Sequence, residues 1–64
     1  MKWYAVGQCG TEYSFTVKPI RWNNGIIQLW TTKGKGERKE LDSGTIKKVV
    51  GKEMTWFDEP IKIQ

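Results

Sequence analysis

The sequence predicts one small all-β domain of five or six short antiparallel strands rolled into a barrel. Short runs alternate apolar and polar residues, turn signals rich in glycine and asparagine separate them, and no window repeats apolar residues at i, i+3, i+4 and i+7. With 64 residues there is room for one core only. Four Trp, two Tyr and two Phe supply large buried areas from few positions.

Tyr4 marks a first strand, followed by a turn through Gly10. Tyr13, Phe15 and Val17 alternate with Ser14, Thr16 and Lys18, which predicts a strand with one wet and one dry face. Parity changes after Pro19, because the next large apolar residues are Ile20 and Trp22. Proline cannot donate to a ladder, so a bulge or sharp bend is expected at Lys18 and Pro19, the kind of corner a small barrel needs. Asn24-Gly25 then predicts a two-residue hairpin turn. In that register Trp22 opposes Ile27, Arg21 opposes Gln28 and Ile20 opposes Leu29. Ile20, Trp22, Ile27 and Leu29 would share the inner face, with Arg21 and Trp30 on the outer one.

Lys33 to Gly36 reads as a flexible basic loop, without the spacing of a phosphate-binding motif. Glu37 to Asp42 is charged except for Leu41, as suits an edge strand protected against aggregation. Ile46 and Val49 fit a 3₁₀ turn leading into a strand. Met54 to Phe57 and Ile61 to Ile63 are expected to be closing strands, broken at Pro60. Trp22 and Phe15 are expected in the core, while Trp3, Trp56 and Phe57 stand between core and surface.

Cys9 is the only cysteine, so no intramolecular disulfide is available, and it is expected to be a free, partly buried thiol. Without histidine the chain lacks the commonest general base and a Cys-His nucleophile, and with one thiol a zinc site would need Asp and Glu ligands almost alone. Asp58 and Glu59 are adjacent, and neighbours along a strand point to opposite faces. The expectation is a non-catalytic protein with no cofactor and no metal. There is no apolar run of membrane-spanning length and no signal-peptide core at the start, so the protein is expected in the cytoplasm.

Charge is uneven. The net charge is +4, yet residues 1–52 carry +6 and residues 53–64 carry −2. The basic part would attract a polyanion.

Several residues carry a resemblance. Tyr4, Gly10, Glu12, Val17-Lys18-Pro19, the hairpin into Leu29-Trp30, Arg38, Leu41, Ile46 and Val49 follow one another in an order similar to the Sm-like barrel of WYL domains. The same layout resembles the bacterial Rho inhibitor Rof. More locally, Gly36 to Asp42, Ile46 to Val49 and Gly51-Lys52 resemble a stretch of the small basic chromatin proteins of archaea, which are SH3-like barrels. These resemblances imply an SH3-like or Sm-like barrel with a role connected to nucleic acid.

The expected function is binding of DNA or RNA with low sequence specificity. Arg21, Trp30, Lys33, Lys35, Arg38 and Lys39 would form the site. Trp30 would be the exposed stacking ring, and the cations would neutralise phosphates. The alternative is a protein-binding adaptor or inhibitor that works through an edge strand or an aromatic patch. Edge strands also offer a route to homo-oligomers.

Overall fold

The computed structural model describes residues 2–63. Six strands and one short helix follow in the order β1 (Lys2–Val6), β2 (Glu12–Phe15), β3 (Ile20–Asn23), β4 (Gln28–Thr31), β5 (Arg38–Leu41), α1 (Thr45–Val50) and β6 (Ile61–Ile63). The strands make two antiparallel sheets, one ordered β5-β2-β1-β6 and the other the β3-β4 hairpin. The all-β expectation holds in outline. The two sheets share no ladder, and no helix among the described residues is long and apolar enough to cross a membrane.

Both faces of the larger sheet are covered. Residues paired across antiparallel strands share a face, so Trp3, Phe15, Arg38 and Lys62 form one row, with Ala5 and Tyr13 beside it on the same side. That side packs on the hairpin, in a core of Ala5, Phe15, Trp30 and Trp56. Tyr4 and Val6 face the other way and pack with Ile46 and Met54, flanked by Leu41, Val50, Ile61 and Ile63. The single core expected of so short a chain is thus split in two by the sheet, and the chain between Met54 and Trp56 passes from one cluster to the other. Its neighbours on both sides leave Ser14 buried, so β2 has two dry faces rather than the expected one.

Several local expectations stand. The chain breaks strand between Phe15 and Ile20, where Pro19 is fully buried, and β5 lies at the sheet edge. Others need correction. Thr45 to Val50 is an α-helix, too short to display a repeating apolar pattern; only the Ile46–Val50 spacing presents one face to the core. It is held from outside: the Glu12 carboxylate accepts hydrogen bonds from the backbone N–H groups of Gly44 (2.7 Å) and Ile46 (2.6 Å). Met54 to Phe57 forms turns and irregular chain, not a strand, with the Asp58 carboxylate accepting from the Thr55 N–H at 2.7 Å. Cys9 is exposed, because it sits in the β1–β2 turn.

The hairpin differs most. Trp22 opposes Leu29, Arg21 opposes Trp30 and Ile20 opposes Thr31, so the register is shifted by two residues from a tight Asn-Gly turn. Side chains satisfy the longer loop: Asn23 Oδ1 accepts from the Gly25 N–H, and Asn24 Oδ1 accepts from the N–H groups of Ile26 and Ile27. Gly25 is still left-handed, at φ 90°. A shift of two preserves which residues share a face. The faces themselves are inverted: Trp30 is 4% exposed and Trp22 is 42% exposed.

Candidate functional site

The inversion decides the fate of two candidate residues. The Trp30 indole N–H donates to the Val6 carbonyl at 2.8 Å, and its ring meets Trp56 edge-on at 5.3 Å. Arg21 lies over both rings, its guanidinium carbon 4.7 Å from the Trp30 centroid and 5.0 Å from that of Trp56. The guanidinium donates to the carbonyls of Trp56 (2.7 Å) and Asp58 (3.3 Å) and pairs with Glu59 at 3.2 Å. Arg21 therefore seals the aromatic core and ties down the segment before β6. Trp30 cannot serve as an outer stacking ring, and Arg21 has little charge to spare for a ligand. Hydropathy pointed to the wrong face because counting residue types scores Arg21 as a surface charge and does not register a guanidinium laid over two indoles.

The other four candidates, Lys33, Lys35, Arg38 and Lys39, are exposed. Lys33 and Lys35 belong to a defined turn, closed by a hydrogen bond from the Lys35 N–H to the Thr32 carbonyl at 3.1 Å, with Lys33 left-handed at φ 55°. This loop leaves β4 opposite Ile20 and enters β5 where Glu37 bonds to Thr16, so it is anchored at one end of the larger sheet. Arg38 and Lys39 begin β5 at that same end, with Arg38 over the Tyr13 ring at 5.1 Å.

Sequence reasoning missed three further cations brought there by strand pairing and the bend. Lys2 starts β1 and shares a shallow surface depression with Arg38 and Lys39. Lys62 is the cross-strand partner of Trp3. Lys18 follows β2. The Nζ atoms of Lys18 and Lys62 lie 5.7 Å and 5.8 Å from the half-buried Trp3 ring. Nothing in the local sequence announces this arrangement, since Trp3 and Lys62 stand at opposite ends of the chain.

Seven of the eleven basic residues therefore gather at one end of the sheet, and among the described residues Glu37 is the one acidic side chain of that group. Glu12, Glu40 and Asp42 lie toward the other end of β2 and β5, while Asp58 and Glu59 are engaged by Thr55 and Arg21. Lys47 pairs with Glu53 at 3.6 Å beside the helix. The outer face of the hairpin is apolar instead: Ile20, Trp22 and Leu29 share it, with Ile26 and Ile27 exposed at the loop. Comparison with known protein families, with characterised proteins and with solved structures finds no match for this chain.

Proposed function

We propose that the protein is a small, non-catalytic, cytoplasmic nucleic-acid-binding domain, with the basic end of its larger sheet as the working surface. The observation that carries this reading is the segregation of charge. A net charge of +4 spread evenly would be a weak lure, whereas seven cationic side chains beside one acidic side chain, counted among the described residues, make a local field to which a phosphate backbone responds. Lys33, Lys35, Arg38 and Lys39 stay in the site, Lys2, Lys18 and Lys62 join it, and Arg21 and Trp30 leave it. The sharp passage from β2 into β3 supports reading the two sheets as an open barrel of the SH3-like or Sm-like kind.

Because the contacts are to phosphate, binding is expected to be largely indifferent to sequence and to weaken steeply with salt. Fluorescence anisotropy of a labelled oligonucleotide tests this directly. Micromolar binding at low salt that fades as salt rises supports the reading; absence of binding by a folded protein to both DNA and RNA overturns it.

The outer face of the hairpin favours a second reading. Ile20, Trp22 and Leu29 form an exposed apolar surface without a charged residue, the composition of a protein-docking patch. A protein partner held there would bind almost equally well at low and high salt, the reverse of the behaviour expected for nucleic acid.

A further inference from the structure

The basic end holds one feature that phosphate binding does not require, an aromatic ring set among its cations. Trp3 lies in a row across the sheet, between Lys62 on β6 and Phe15 on β2, with Arg38 beyond. Phe15 is buried under the hairpin, while its cross-strand partner Trp3 is half-buried and packs against that core. The ammonium groups of Lys18 and Lys62 hover near the ring from two different elements, and both side chains belong to exposed residues.

We infer that Trp3, with Lys18 and Lys62, is a stacking site for one unpaired base, so that the ligand class is single-stranded rather than duplex nucleic acid. This rests on the nucleic-acid reading above and adds to it. An exposed ammonium near an indole is held weakly and on a flexible stem. When a strand arrives, each lysine can turn to a phosphate, and a base takes its place against the ring. Attraction to phosphate and stacking are thus supplied by the same three residues. A duplex keeps its bases stacked on one another, so it can meet the cations but not the ring. Any of the four bases has a face to offer, and sequence preference stays low.

The experiment compares three labelled ligands by anisotropy at low salt: a thymidine oligonucleotide of about eight residues, an abasic strand of equal length and charge, and a duplex of that length, a span suited to one small domain. The thymidine strand is expected to bind about tenfold more tightly than the abasic strand, the fold-change that stacking one base supplies. Trp3→Leu should erase that difference and leave duplex binding unchanged, while Trp3→Tyr, which retains a ring, should preserve it. Should Trp3→Leu fail to fold, the Trp3 indole N–H resonance of the wild type decides the question: a shift on adding the thymidine strand but not the abasic strand is expected, and an unmoved resonance overturns the stacking site. Equal affinity for those two strands, or tighter binding of the duplex, overturns the stacking site and leaves the phosphate reading standing. Failure of all three ligands to bind overturns both.

Discussion

Two tryptophans one strand apart illustrate how position, not residue type, sets energetic weight. Trp30 is enclosed, hydrogen-bonded through its N–H and in contact with a second indole, so Trp30→Ala is expected to cost about 3 to 5 kcal/mol, near the whole margin of a domain this small. Trp22 stands on the open side of the hairpin, and Trp22→Ala should cost about 1 kcal/mol. Urea denaturation followed by far-UV circular dichroism separates them: an unfolded Trp30 variant beside a folded Trp22 variant is the expected result. Arg21 offers a third residue-level test. Arg21→Lys keeps the charge but loses the planar fork that reaches two carbonyls while covering two rings. A loss of about 1 to 3 kcal/mol is expected, with faster amide exchange between Trp56 and Ile61. Unchanged stability and exchange would show that Arg21 is not the tie between the hairpin and that segment.

Among the elements, glycine positions separate backbone strain from packing. Gly25 is left-handed with open space around it, so Gly25→Ala costs only the backbone term, about 1 to 2 kcal/mol. Gly36 is left-handed too, but a Cβ there would press into the Thr16 hydroxyl and the Val17 side chain, at the junction that anchors β5. Gly36→Ala should therefore lower the thermal midpoint clearly more than Gly25→Ala; equal losses would place the junction elsewhere. Much at this scale is legible in the sequence. Asn23-Asn24-Gly25 marks the hairpin loop, Pro19 marks the bend, and the charged run around Leu41 marks the edge strand, because each signal is local chemistry acting on local backbone. The rest depends on partners distant in sequence. Helix α1 is fixed by Glu12, more than 30 residues away, and the inward face of the hairpin is chosen by Arg21 closing over Trp56. Alternation identifies two faces but not which one the remainder of the chain will cover. The candidate site divides along the same line. The Lys33 to Lys39 cations are contiguous and could be read directly, whereas Trp3 and Lys62 meet only through the pairing of β1 with β6.

Across the whole molecule, 31 Å in its longest dimension, the distribution of charge rather than its sum carries the functional argument. Three lysines of the basic end, Lys18, Lys35 and Lys39, can be set against three at and after the helix, Lys47, Lys48 and Lys52. Replacing either set by glutamine removes the same charge, so a protein that attracts polyanions through net charge alone would respond equally to both. The measurement is the salt dependence of binding to a single-stranded oligonucleotide for the wild type and these two triple variants. The helix variant is expected to keep the wild-type slope of log affinity against log salt, and the basic-end variant to lose roughly 2 from its magnitude, about 0.7 for each cation no longer engaged. Equal slopes in the two variants, or a larger loss in the helix variant, would contradict the assignment of nucleic-acid binding to this end of the sheet.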